Sequence, residues 1–201
     1  MNHWRETPTL VGRHVTLRPL DPTDRDALLA AMADGDLASL FYTIVPTPET
    51  IDPWFASTRN EQDVGRAMPF AVLDAAGRVV GTTRFMRMVE SYRRVEIGTT
   101  LYAKSVQRTG LNTEAKRLLL GHAFDVLDCQ CVQIRTDWLN RRSRTAIERL
   151  GAKLDGVIRG HRIMPDGRVR DMVVYSIIAG EWPGVRANLD MMLSRFEGDA
   201  T

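Results

Sequence analysis

The sequence predicts an α/β (α+β) fold, a single mixed, mostly antiparallel sheet with helices on both faces. Three observations predict it. Strand-like and amphipathic helical segments alternate in the order β-α-α-β-β-β-α-β-α-β-β-α. The early strands are joined by short turns, which permit antiparallel neighbours and no crossover. The chain has 201 residues, 44% hydrophobic and 26% charged, which suits one domain over 1–201, with a core from about 10 to 185 and a last helix over about 181–196.

Each element has its own signal. "RHVTLRPL" alternates, with Val15, Leu17 and Leu20 facing inward, and reads as a strand. Asp21-Pro22-Thr23 opens a helix that runs to about Met32. "FYTIVPTPETIDPWF" is a proline-rich loop leading into a helix near Thr50, with Pro53 in its first turn. "MPFAVLDAAGRVVGTTRFMRM" is two strands around Ala75-Ala76-Gly77, and "RRVEIGTTLYA" is a third, with Gly98 marking a bulge or a close backbone approach. From Asn112 to about Leu127 the residues Ala115, Leu118, Leu119, Ala123, Val126 and Leu127 keep helical spacing. "CVQIRTDW" is a strand. Asn140 caps a helix over 141–150 that Gly151 stops, and a hairpin turns at Asp166-Gly167. "EWPGVRANLDMMLSRF" is a closing amphipathic helix that covers the core.

Composition narrows the function. No apolar run of 18 residues exists and the N-terminus lacks a signal-peptide core, so a cytoplasmic protein without a membrane partner is expected. A net charge of +2 and no basic run beyond "RRSR" give no nucleic-acid footprint. Cys129 and Cys131 read as reduced core cysteines; no further cysteine pair or histidine pair completes a metal site, so no metal is expected.

Two strands, ending near Ala103 and Trp138, lead into helices with polar, capped starts. Neighbouring helix N-termini at the carboxyl ends of strands form an anion site. At the first stand Gln107, Arg108, Thr109, Gly110, Leu111, Asn112 and Thr113, where the glycine admits close backbone approach and free N–H groups can cradle a phosphate. Asn140 and Ser143 fall together at the second.

"QRTGLN" resembles the Q/R-x-x-G-x-G/A pyrophosphate loop of the GNAT acyltransferase superfamily. "VEIGTTLYA" lies where that superfamily has its central strand. "NRRSRTAIERLGAKLDGVIRGH", "NTEAKRLLLGHAF" and "DMVVYSIIAGEWP" resemble its ribosomal-protein N-terminal acetyltransferase (RimJ/RimL-like) branch. The similarity spans roughly residues 10 to 185, and the departure is Asn112 at the last loop position. It implies the GNAT fold and direct transfer of acetyl from acetyl-CoA to an amine, either a protein N-terminus or a small molecule. A non-catalytic acyl-CoA sensor is the alternative. Glu96, eleven positions before Gln107, is then the general base acting through water and part of the acceptor site. Ser143 is the acid for the leaving thiolate. The backbone of Thr99, Thr100 and Leu101 holds the pantetheine arm and the thioester carbonyl. Arg108, Lys116, Arg141 and Arg142 are phosphate candidates, and Asn140 is a cap that can also contact the cofactor. Tyr42 and Trp54, from the loop 41–54 with Phe41 and Phe55, line the acceptor side. His161 is a second candidate base, and a homodimer is compatible with the resemblance.

Overall fold

The computed structural model describes residues 2–35 and 37–196. Strands β1 (Leu10–Val11), β2 (Val15–Pro19), β3 (Met68–Asp74), β4 (Val79–Val89), β5 (Arg94–Tyr102), β6 (Cys131–Asp137), β7 (Lys153–Ile163) and β8 (Val169–Ile178) form one sheet in the order β1-β2-β3-β4-β5-β6-β8-β7. The helices are α1 (Arg25–Ala33), α2 (Ile51–Asp63), α3 (Gly110–Gly121), α4 (Arg141–Glu148) and α5 (Trp182–Ser194). Every pairing is antiparallel except β5 with β6, the two strands that α3 separates in sequence.

Strand alternation divides the sheet into an apolar and a polar face. Val15, Leu17, Phe70, Phe85, Ile97, Val132, Tyr175 and Ile177 are all buried on one side. There Phe85 stacks on His122, just beyond α3, at 6.0 Å, and α5 adds Trp182, Val185 and Leu189 to the same core. The closing helix therefore covers this chain's own core, as its pattern predicts. The other side carries Arg84, Met86, Glu96, Gly98, Gln133 and Arg135 in cross-strand register. It meets α2, where Thr58 Oγ1 accepts from Arg84 Nη1 at 3.3 Å.

The turns form where the sequence places them. Gly77 (φ 78°) and Gly167 (φ 83°) take the left-handed conformation their turns require. Three local expectations are corrected. A short strand, β1, precedes the first one expected. α3 starts at Gly110 under a Thr109 cap, not at Asn112, because the threonine hydroxyl is free to take the Leu111 N–H. Residues 122–126 form a wider π turn, which rotates Val126 outward to 45% exposure. The irregularity expected at Gly98 is present just beyond it as a bulge, where Thr99 takes a positive φ of 48°.

Candidate active site

The parallel ladder between β5 and β6 runs only from Arg94–Cys131 to Ile97–Ile134. Beyond it, β5 stays paired to β4 alone and β6 to β8 alone, so the sheet opens at the carboxyl ends of these two strands. A bulge marks the opening: Thr82 faces Leu101 and Arg84 faces Gly98, so Thr83 alone stands against Thr99 and Thr100. Thr99 is β-branched and left-handed, a conformation that costs about 1–3 kcal/mol and must be held by its surroundings. The clamp is on the apolar face. Thr83 Oγ1 and Thr100 Oγ1 share a hydrogen bond of 2.9 Å, and Lys116 Nζ donates to Thr100 Oγ1 at 2.9 Å. Lys116 is only 6% exposed, and burial pushes its ammonium down to about 7. It thus lies inside the core beneath the bulge, not on the phosphate loop where the sequence reading put it. Gly98 is needed for space rather than for its torsion, since a Cβ there would collide with Met86 Sδ.

From the end of β5 the chain passes through a short 3₁₀ turn, Lys104–Val106, and enters α3. Gln107 Nε2 donates to the Tyr102 carbonyl at 3.1 Å and holds this exit against the strand. Arg108 is exposed and left-handed (φ 64°), and Thr109 is extended. Thr109 Oγ1 donates to the Val106 carbonyl at 2.7 Å and accepts from the Leu111 N–H at 3.3 Å. The first-turn N–H groups of Gly110 and Asn112 have no intrahelical acceptor and project from the positive end of the helix dipole. Gly110 has a packing reason too, because a Cβ would lie 3.1 Å from the His14 ring. Thr113 is buried and 3.5 Å from Arg149 Nη2, so its hydroxyl belongs to the α3–α4 contact.

Glu114, one position further on, was not anticipated. Its carboxylate accepts the backbone N–H groups of Arg13, His14 and Val15 at 2.9, 2.6 and 2.9 Å, and a Cβ on Gly12 would overlap it. It fixes the start of α3 to the β1–β2 turn across a hundred residues of chain.

At the end of β6, Asn140 Oδ1 accepts the Ser143 N–H at 3.0 Å and caps α4. Ser143 is half-buried on the first turn of α4, and Arg142 is exposed beside it. Ser143 and the α3 entrance thus both stand at the carboxyl end of the opened pair.

On the polar face, Glu96 is 5% exposed. Its Oε2 lies 2.6 Å from Arg87 Nη1 and 3.1 Å from Arg135 Nε. Its Oε1 is turned toward Gly98, where a Cβ would be 3.5 Å away. One carboxylate oxygen is therefore held by guanidiniums while the other is presented at the end of the parallel ladder.

The expected acceptor wall is only partly assembled. Tyr42 packs edge to face on Phe41 at 5.0 Å, whereas Trp54 sits in α2 on Phe55 and leans on the core. Phe41 is tied to the site by Arg168, whose guanidinium lies 5.1 Å over its ring and donates to its carbonyl at 3.4 Å. Arg168 Nη2 also donates to Asp137 Oδ2 at 2.8 Å, and Arg170 Nε is 3.3 Å from the same oxygen. Asp137, fully buried at the last position of β6, and Arg168, on the hairpin, were missed; an aspartate closing an apolar strand was the available signal. His161 is exposed on β7, the sheet edge.

Comparison with known proteins agrees with this geometry. The profile of the acetyltransferase (GNAT) domain matches residues 14–153. A candidate ribosomal N-acetyltransferase, YdaF, of Bacillus subtilis (strain 168) is 29% identical over 183 residues, covering 87% of this chain and 96% of its own. The crystal structure of an acetyltransferase candidate from T. thermophilus superposes with a TM-score of 0.82 at 34% identity, over 94% of this chain and 99% of its own. That of a GCN5-related N-acetyltransferase from Brucella melitensis gives 0.82 at 30%, over 94% and 86%.

Proposed function

The chain belongs to the GNAT acetyltransferase family and is an acetyl-CoA-dependent N-acetyltransferase; from that premise we propose that it passes acetyl directly to a primary amine bound in a ternary complex, with Glu96 and Ser143 as the proton-handling groups. The observation that carries this reading is the end of the parallel ladder at Ile97–Ile134, followed at once by a clamped bulge and two capped helix N-termini. These residues fit the cosubstrate. The N–H groups of Gly110 and Asn112 and the exposed Arg108 would take the pyrophosphate, with Arg142 close to the second helix start. The backbone of Thr99 to Leu101, released from β6, would run beside the pantetheine arm, and the thioester supplies the activated acetyl group.

The protein's own groups then divide the chemistry. Glu96 Oε1 receives the acceptor amine and removes its proton through water, while Oε2 stays anchored on Arg87 and Arg135. Ser143 Oγ, on a helix turn fixed by Asn140, returns a proton to the departing thiolate. The bulge N–H groups would stabilise the negative charge that grows on the carbonyl oxygen. The name of the B. subtilis relative makes a protein N-terminal amine one acceptor to test; a small-molecule amine is the other. A cytoplasmic setting accords with this use of acetyl-CoA.

A thermal-shift titration tests the binding half. Acetyl-CoA at a hundred times its Kd should stabilise the protein by about 2.7 kcal/mol, a rise in Tm of about 5–10 °C for a chain of this size. Folded Gly110→Asp, with a carboxylate in the loop, should lose this shift. Retention of the full shift would remove the loop from the cosubstrate site. Amine-dependent release of free thiol tests the transfer itself.

A further inference from the structure

The polar face beside the strand opening holds more guanidinium than its carboxylates balance. Glu96 serves Arg87 and Arg135, and Asp137 serves Arg168 and Arg170. Arg84 makes a fifth arginine, and among the described residues it has no carboxylate within 4 Å. Its side-chain partner is the Thr58 hydroxyl at 3.3 Å, and its Nε is enclosed without an acceptor. Burial lowers the Arg84 guanidinium from its ordinary value, with Glu61 and Glu96 opposing only through space. A desolvated guanidinium without a counter-ion is costly to keep, and such groups concentrate where a ligand completes them.

The position of Arg84 decides what that ligand is. It stands across from Gly98 in the β4–β5 register, at the end of the parallel ladder, and on the same face as Glu96. The site therefore presents a carboxylate oxygen, Glu96 Oε1, and an unbalanced guanidinium on neighbouring strands. Oε1 matches an ammonium, and the planar fork of arginine matches a carboxylate or phosphate.

Resting on the transferase reading, we propose that the acceptor is an amine carrying an anionic group, carboxylate or phosphate, a few bonds from the reacting nitrogen, and that Arg84 is the specificity-determining residue that receives that group. A cationic polyamine meets the same arginine excess and is disfavoured.

The test uses the full chain, acetyl-CoA and four amines: leucine, leucinamide, phosphoethanolamine and spermidine, with thiol release as the readout. Leucine and its amide differ only in the anion. The amide's amine is the less basic, so more of it is free near neutral pH, and a preference for leucine runs against availability. Leucine or phosphoethanolamine should exceed both leucinamide and spermidine in kcat/KM by on the order of 10-fold or more, the worth of one charge-assisted hydrogen bond. Whichever of the two prevails identifies the anion. Arg84→Gln should bring the preference close to unity by raising KM for the anionic amine, and leave acetyl-CoA affinity unchanged. Arg84→Lys should keep part of the preference. Equal use of neutral or cationic amines, an undiminished preference in Arg84→Gln, or silence from all four amines while acetyl-CoA binds would overturn the inference and leave the cosubstrate site standing. Failure of the wild-type protein to bind acetyl-CoA would instead overturn the transferase reading beneath it.

Discussion

Replacing Lys116 by methionine keeps the length of the side chain and removes its nitrogen, so it isolates the cost of a cation held beneath the bulge. The ammonium titrates at about 7 in the folded protein, against 10.5 for an unburied lysine. Below pH 7 both the folded and unfolded chains carry the proton, and the folded state bears the whole penalty, on the order of 5 kcal/mol. Between about pH 7 and 10.5 the unfolded chain binds more proton than the folded one, so wild-type stability rises with pH, by about 1.4 kcal/mol per unit. Above 10.5 both forms are neutral and the penalty is gone. The lost hydrogen bond to Thr100 offsets the mutant's gain by about 1 kcal/mol, and Thr100 keeps its bond to Thr83. Lys116→Met should therefore be the more stable protein at pH 6, and its advantage should shrink by about 4 kcal/mol by pH 10, on the order of 10 °C in Tm. Tyr102, also buried on β5, is pushed up and stays neutral throughout this range. The thiols Cys129 and Cys131, both raised by burial, titrate alike in the two proteins and drop out of the difference. Paired denaturant or thermal melts from pH 6 to 10 measure that difference. Parallel curves would refute the buried cation.

Ser143→Ala should lower turnover by about 10²–10⁴-fold with acetyl-CoA affinity nearly intact, because a general acid acts in the transition state; single-turnover kinetics beside calorimetric binding separate the two, and an unchanged rate removes Ser143 from the mechanism. Glu96→Gln should cut turnover most at low pH and be partly rescued as free amine becomes abundant, and a wild-type pH–rate profile would make Glu96 purely structural. Asp137→Asn leaves Arg168 and Arg170 without their shared anion and should cost about 3–5 kcal/mol in urea unfolding. It should also free the Phe41 segment for proteolysis, and an undiminished unfolding midpoint would show that the pair contributes nothing.

Local chemistry settled much of this protein in the sequence itself. Apolar alternation set the two faces of the sheet, Gly77 and Gly167 set the turns, Asn140 set the start of α4, and "QRTGLN" with "NRRSR" marked the two helix entrances. Each of those signals acts within a few residues, which is why a linear reading reaches them. What the sequence could not decide depends on groups brought together from far apart. Lys116 looks like a surface phosphate ligand until α3 is laid on β4 and β5, and then its ammonium is inside, bonded to Thr100. Gly98 reads as a bulge or a close approach, and the register with Thr83 decides that the extra residue and the left-handed backbone fall just beyond it, at Thr99. Glu96 reads as a base or as a strand carboxylate paired with Arg84 or Arg94, but folding delivers Arg87 and Arg135 to one of its oxygens and leaves the other open. Glu114 and Arg84 carry no local motif, and Asp137 shows only as an aspartate closing a strand. The partner of Glu114 is a distant turn, that of Asp137 a hairpin and that of Arg84 a helix, and only closure of the sheet shows that Asp137 is balanced by two arginines while Arg84 and Lys116 have no carboxylate partner among the described residues.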